Sequence, residues 1–366
     1  MRLAFVCRPL VFHGGVETST AGLLGELLRR GHVIDLLTTR GQADVPGLNV
    51  RRLLTLPEPS ALRLLVFAMS ARRAAAAGRY DIVQSHERGL RQDIYRAGEG
   101  VHRAYLAAMG RGSVPWSPHH RLVCALEERI FSLRSTRHVV AISRGGKAEI
   151  ERFFGPPSER VSCIYNGVDL GRFHPDNRAR HGASIRAALG LPADSWVVLF
   201  VGSGFRRKGL EPLLRGIAQL ADARIRLVVA GKGDAEAYRT LAERLGLATR
   251  VVWMGVRRDV ERLYAGADVV ALPALYEPFG NVHLEALATG VPMLSSRAAG
   301  GAELIVDGRN GWVVASSTAE AIASGLIELR EGDARRLALA ARESAEPFTL
   351  GAQADGFEAL YRELKQ

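Results

Sequence analysis

DVVALPALYEPFGNVHLEA, residues 268–286, is the stretch from which the fold is read. Its opening, Asp268–Leu272, is an apolar run of the length of a buried strand. A loop carrying Glu277, Pro278, Phe279 and Gly280 follows, and a helix opens near Asn281 and Val282 and runs through Ala288, with Glu285 inside it. Strand, loop and helix in that order are the repeating unit of a parallel α/β sheet. The amides at such a helix start can bind an anion. Carboxylates such as Glu277 and Glu285 accept sugar hydroxyls through charge-assisted hydrogen bonds. A capping carboxylate and a solvent-facing one would show the same spacing, so the spacing alone leaves both readings open.

The same alternation extends through the chain. Apolar, β-branched runs recur at Arg2–Cys7, Val33–Thr38, Asp81–Gln84, His138–Ile142 and Val161–Ile164. They return at Trp196–Val201, Ile225–Ala230, Val251–Trp253, Asp268–Leu272 and Val291–Ser295. Runs this short with glycine or polar ends suit strands buried on both faces. Between them lie amphipathic stretches: Thr18–Arg30 sets Leu23, Leu24, Leu27 and Leu28 on one face and stops at Gly31. Periodicity lapses over Gly167–Ala183, so two α/β domains are predicted, joined near residue 175.

Composition sets outer limits. The 366 residues fit two domains, and 47% hydrophobic with 24% charged residues excludes disorder and collagen. Three dispersed cysteines, Cys7, Cys124 and Cys163, offer no C-x-x-C, which argues against a disulfide scaffold or zinc ribbon. The apolar run at the start is too short for a secretion signal, and a cytoplasmic location is expected. The net charge of +11 is polarised: residues 1–170 hold 24 Lys+Arg against 15 Asp+Glu, residues 171–366 hold 25 against 23. An anionic partner for the first half is one reading, a solvated arginine-rich surface the other.

Three further clusters sit at strand ends, where open parallel sheets bind ligands. His13-Gly14-Gly15-Val16-Glu17 follows the first strand and precedes a helix; paired glycines allow close backbone approach to phosphate. Gly202-Ser203-Gly204-Phe205-Arg206-Arg207-Lys208-Gly209 lacks the third glycine of a dinucleotide fingerprint and the Ser or Thr of a Walker loop. It keeps three adjacent cations beside a glycine turn, suited to a diphosphate. His86, just past the strand Asp81–Gln84, can serve as a polar contact or acid–base group. The chain has no D-x-D, H-E-x-x-H or G-x-S-x-G, which argues against a divalent-metal sugar site, a zincin and an α/β-hydrolase.

Taken in order, these residues resemble the retaining GT-B glycosyltransferases of family 4 along essentially the whole chain. The resemblance rests on Gly14-Gly15, Asn166-Gly167-Val168-Asp169 with Phe173 and Pro175, Arg207-Lys208-Gly209, Glu277…Glu285 with Phe279-Gly280, and Gly300-Gly301-x-Glu303. It implies two Rossmann-like domains facing each other across a cleft. The implied boundaries are 1–172 for the acceptor-binding domain, 173–345 for the nucleotide-sugar domain, and 346–366 for a C-terminal helix returning to the first. It implies that Arg207 and Lys208 neutralise the diphosphate, Glu285 holds the ribose, and Glu277 meets the transferred sugar. Phe279, Gly280, Asn281 and Val282 would lie along the donor, Gly14 and Gly15 would approach its phosphate, and His86 would stand near the sugar. Glu17 and Arg103 would lie on the acceptor side.

The family pattern places an arginine where this chain has Ser203, so Arg206 or Arg207 must supply the second cation, and Arg207 is preferred because lipopolysaccharide-core members use it. The implied activity is retaining transfer of a hexose, glucose from UDP-glucose, to a membrane-linked glycan of the lipopolysaccharide core, with no cofactor or metal. Val101–Arg129 interleaves Arg103, Arg111 and Arg121 with Tyr105, Leu106, Met109, Trp116 and Leu122, and is expected to lie on an anionic leaflet, the alternative being an ordinary surface loop that shapes the acceptor cleft. The rivals are a nucleotide-sugar 2-epimerase of the same architecture, a nucleic-acid-binding protein motivated by the pI near 10.1, and an NAD-dependent oxidoreductase. No RNA-type aromatic motif accompanies the cations, so a nucleic-acid partner is not expected.

Overall fold

The computed structural model describes the chain except residues 11–14, 43–44 and 111–116 and the side chain of Val16. Gly14 with its neighbour His13, and Arg111 and Trp116 of the basic segment, therefore lie outside the described residues. The chain forms two compact units, Met1–Gly167 with Leu350–Gln366, and Val168–Thr349. In the first, β1 (Arg2–Val6), β2 (Val33–Thr38), β3 (Leu48–Arg52), β4 (Ile82–Ser85), β5 (Gln92–Arg96), β6 (Thr136–Ala141) and β7 (Val161–Cys163) make one sheet in the order β3-β2-β1-β4-β5-β6-β7. In the second, β8 (Trp196–Val201), β9 (Ile225–Ala230), β10 (Val251–Gly255), β11 (Val269–Leu272), β12 (Met293–Ser296) and β13 (Gly311–Val314) follow the order β10-β9-β8-β11-β12-β13. Every pairing between these strands is parallel, as in Trp196 opposite Ile225 through Val201 opposite Ala230.

In both sheets the strand order reverses beside the first strand. β1 lies between β2 and β4, and β8 lies between β9 and β11. The loops leaving the carboxyl ends of each central pair diverge there, which opens a crevice for a ligand. The strands are buried because their residues demand it: Val197–Phe200 of β8 are all buried, and so is β11 throughout. Helix Leu210–Gln219 covers that sheet with Leu210, Leu213, Leu214 and Ile217, an i, i+3, i+4, i+7 stripe with no exposure.

The sequence placed the unit boundaries at 172/173 and 345/346; the compact units divide at Gly167/Val168 and Thr349/Leu350. Val168 bridges to Thr349, and its N–H donates to the Phe348 carbonyl at 2.9 Å. Both passages of the chain between units are thereby paired within the second. The helix Leu350–Lys365 belongs to the first unit, where Ala354, Phe357, Leu360 and Tyr361 join Leu23, Leu24 and Leu27 of helix Gly15–Arg29 in one core. Arg30 secures the junction, reaching Asp355 at 2.6 Å, Glu358 at 3.0 Å and the Gly351 carbonyl at 2.9 Å. Phe357 is fully buried. Its replacement by Ala is expected to destabilise the first unit by about 3–5 kcal/mol, read as a lower denaturant midpoint in chemical unfolding.

Candidate active site

The crevice of the second unit is built by the loops after β8 and β11. β8 leads into Gly202–Gly209, and β11 into Pro273–Gly280. Lys208 Nζ and an Arg207 guanidinium nitrogen each stand 2.8 Å from Glu277 Oε2. Lys208 is 8% exposed and the Glu277 side chain 11%. Burial pushes the Glu277 carboxyl up, but the charges and hydrogen bonds of Lys208 and Arg207 overcome it and hold it at about 2. Backbone bonds join the same loops: Leu275 N–H donates to the Arg207 carbonyl at 2.8 Å, and Arg207 also reaches the Tyr276 carbonyl at 3.0 Å. Gly209 lets the loops close. Its φ is +78°, and a Cβ there would lie 1.9 Å from the Pro273 carbonyl oxygen, so no other residue fits.

The segment after Glu277 is fixed from behind. Phe279 is fully buried, and its carbonyl accepts the Gly301 N–H at 2.8 Å, while the Glu277 carbonyl accepts that of Gly300. His283, which sequence reasoning passed over, is fully buried. Its Nδ1 faces the Gly280 carbonyl at 2.8 Å, and its Nε2 faces Ser295 Oγ at 2.7 Å. Burial lowers its pKa to about 4, so the ring is neutral; it donates through Nδ1 and accepts from Ser295. A Cβ on Gly301 would meet the His283 ring at 2.5 Å. The Gly300-Gly301 pair thus serves close packing behind the loop. Asn281 and Val282 open the helix Val282–Ala288, with Asn281 half-buried and Val282 buried.

Glu285 lies in that helix, half-buried, with its pKa raised by burial. Tyr264, from helix Val260–Gly266, donates its hydroxyl to Glu285 Oε2 at 2.7 Å. Tyr264 is fully buried, with the Phe173 ring edge-on at 5.7 Å. It holds the carboxylate in one orientation. No motif marks it in the sequence, because it lies one helix and one strand earlier.

The equivalent crevice of the first unit carries a different set. Arg8, after β1, pairs with Glu87, after β4, at 2.7 Å and also with Glu99. Arg88 joins Glu99 and reaches Glu127 at 2.8 Å. The Glu127 carboxylate in turn accepts the backbone N–H of His102 at 2.9 Å. Burial raises Glu87 and Glu127, whereas at Glu99 the charges of Arg88 and Arg8 outweigh burial and lower it to about 2.

His86, expected near a sugar as an acid–base group, is instead 2% exposed with both nitrogens engaged. Tyr361 donates to Gln84 Oε1 at 2.6 Å, the Gln84 amide donates to His86 Nε2 at 2.8 Å, and His86 Nδ1 meets Thr20 Oγ1 at 2.9 Å. Burial, then the Arg96 charge, lowers its pKa well below the ordinary value. The placement makes His86 a neutral tie between β4 and helix Gly15–Arg29. Gly15 and Glu17 lie in the first turn of that helix. Arg103 stacks over Phe154 at 5.8 Å and stands 3.6 Å from Glu128. Leu106 and Met109, expected on a membrane face, are buried in the core.

Comparison with known proteins gives the class to which these two parallel-sheet units belong. Residues 13–172 match the family described as Glycosyltransferase Family 4, and residues 183–345 match Glycosyl transferases group 1. The D-inositol 3-phosphate glycosyltransferase of Xylanimonas cellulosilytica is 32% identical over 92% of this chain and 88% of its own. The chain belongs to the family 4 glycosyltransferases. Its fold matches that of WaaG, a glycosyltransferase involved in lipopolysaccharide biosynthesis, with TM-score 0.86, 23% identity, and 98% and 99% of the two chains covered. It also matches Anabaena Alr3699/HepE, solved with UDP-glucose, with TM-score 0.76, 20% identity, and 99% and 100% covered. Both halves are Rossmann-like parallel sheets of the GT-B class.

Because the folded pKa of Glu277 lies below its ordinary 4.5, its ion pairs stabilise the fold above about pH 4.5 and are lost as pH falls toward about 2. Glu277→Gln is expected to be less stable than the parent at pH 7. In thermal unfolding at stepwise lower pH the gap should narrow between pH 4.5 and 2.

Proposed function

We propose that this protein transfers a hexose, glucose from UDP-glucose, with retention and without a metal, to a membrane-linked glycan acceptor of the lipopolysaccharide-core type. The observation that carries the donor half is the convergence of Lys208 and Arg207 at the crevice of the second unit. Two cations fixed where the loops diverge are a preformed seat for a diphosphate. They stabilise it most as it leaves, when its negative charge grows. Both cations meet Glu277 Oε2, and Oε1 takes a hydroxyl of the transferred sugar. Glu285, oriented by Tyr264, accepts the ribose hydroxyls. Phe279 to Val282 contribute backbone beside the donor.

The bond from the anomeric carbon to the diphosphate oxygen breaks while the acceptor oxygen attacks from the same face. The acceptor proton passes to the departing phosphate oxygen. This route needs no basic side chain, which accords with His86 lying buried and neutral. UDP-glucose as donor is supported by its presence with HepE, and the acceptor by the name of WaaG. Glu17 and Arg103 belong to the acceptor side in this reading.

A second acceptor reading is favoured by one observation. The relatives that share about a third of this sequence are named for D-inositol 3-phosphate, whereas WaaG shares 23%. A phosphorylated cyclitol is therefore the rival acceptor.

Thermal unfolding with UDP, GDP, NAD and UDP-sugars in EDTA tests the donor. UDP and UDP-glucose at about 100 times Kd should each stabilise the protein by about 2.7 kcal/mol; a response to GDP or NAD alone would overturn the reading. Lys208→Ala and Glu285→Ala should each lower transfer roughly 30- to 900-fold, about 2–4 kcal/mol of lost stabilisation. Circular dichroism should show both variants folded. Transfer to core oligosaccharide rather than inositol phosphate decides the acceptor.

A further inference from the structure

The helix Ser60–Ala77 of the first unit is apolar on two opposite faces. Phe67 and Ala71 face inward, packing with Val6, Leu37 and Leu53 beneath. On the other side Leu62, Leu65, Val66 and Met69 follow one another at i, i+3, i+4 and i+7. Leu62 is 43% and Met69 40% exposed, Leu65 and Val66 are half-buried, and Leu54 in the preceding loop is 69% exposed. An apolar stripe opposite the core face is what a helix shows when something other than its own domain covers it.

The charges around the stripe identify the cover. Between Leu48 and Tyr80 there are six arginines, Arg51, Arg52, Arg63, Arg72, Arg73 and Arg79, and one acidic residue, Glu58. All six are exposed. Arg51 leans on Asp35 at 3.1 Å and Arg63 on Glu58 at 3.3 Å. Arg72 and Arg73 close the C-terminal end of the stripe, with Arg79 just beyond the helix.

We infer that this face docks on an anionic phospholipid leaflet, with Leu54, Leu62 and Met69 entering the acyl boundary and the arginines at headgroup level. A second copy of this chain fits poorly, since a two-fold contact through the stripe would set arginine against arginine. Nucleic acid would satisfy the charge and leave the stripe wet. The inference rests on the reading that the acceptor is membrane-linked, and it moves the docking surface from Val101–Arg129 to Ser60–Ala77.

Sedimentation of the full chain with vesicles of phosphatidylcholine, with and without phosphatidylglycerol, tests it. The parent should bind the phosphatidylglycerol vesicles and release as salt rises. Leu62→Asp with Met69→Asp, and separately Arg72→Glu with Arg73→Glu, should each weaken that binding at least about tenfold. Thermal unfolding and the UDP response should stay at parent values. Arg121→Glu, on the exposed side of helix Pro118–Phe131, should bind as the parent does. The inference is overturned if both double variants bind normally, if Arg121→Glu alone loses binding, or if the parent binds neither vesicle. It is equally overturned if Leu62→Asp with Met69→Asp converts a dimer to a monomer. A missing UDP response in the parent would instead count against the donor reading, so the two failures are distinct.

Discussion

A single carboxylate held between two cations organises the second unit. Glu277 draws Lys208 and Arg207 together, and with them the loops leaving β8 and β11. Removing three charged groups from water is costly, and their mutual attraction roughly offsets that cost. Against an uncharged, well-packed alternative the arrangement therefore adds little to stability, although losing one partner alone is costly. What it supplies is position: two cations held at a set separation at the reversal of the sheet, with little side-chain freedom left to lose when an anion arrives. Gly209 serves the same end by letting its backbone approach that of Pro273, and Gly301 by leaving room for the His283 ring, which ties Gly280 to Ser295.

The two units share a strand order and differ in local charge. Among the ion-paired groups at the two crevices, Arg207 and Lys208 against Glu277 sum to +1 in the second. Arg8 and Arg88 against Glu87, Glu99 and Glu127 leave the first at −1. This runs against the totals, since the first half of the chain holds most of the net positive charge. Its excess arginine lies away from its crevice, much of it around the helix Ser60–Ala77. The paired cations proposed to receive a nucleoside diphosphate thus lie in the unit with the lower net charge.

The architecture was readable because central parallel strands must be apolar on both faces, and Trp196–Val201 or Ile225–Ala230 can hardly be anything else. The strands that escaped notice break that rule for physical reasons. β3 is an edge strand ending in Arg51 and Arg52, largely exposed. β5 carries Gln92 and Arg96, polar yet buried. β13 is an edge strand that opens on a glycine and keeps Trp312 and Val313 only half-buried. At the site, residues adjacent in sequence to a glycine turn could be found, because the turn announces them. The pairing of Lys208 with Glu277 could not, for it depends on β8 and β11 being neighbours across 69 residues of chain. Tyr264 and His283 were hidden for a further reason: a buried polar residue looks like any other helix residue until its partner is known. His86 shows the converse, a residue whose type suggested chemistry and whose burial gives it a holding role.

The C-terminal helix has a consequence for how the molecule is made. The second unit is one uninterrupted segment and can close its core while the ribosome is still adding residues. The first unit cannot. Ala354, Phe357, Leu360 and Tyr361 are the other wall of the core lined by Leu23, Leu24 and Leu27, and they leave the exit tunnel only after the whole second unit. The domain synthesised first is therefore the one completed last, the reverse of the usual N-to-C order. Until then the part of helix Gly15–Arg29 that meets helix Leu350–Lys365 stays uncovered, while the strands of the sheet can already cover the rest of its apolar face.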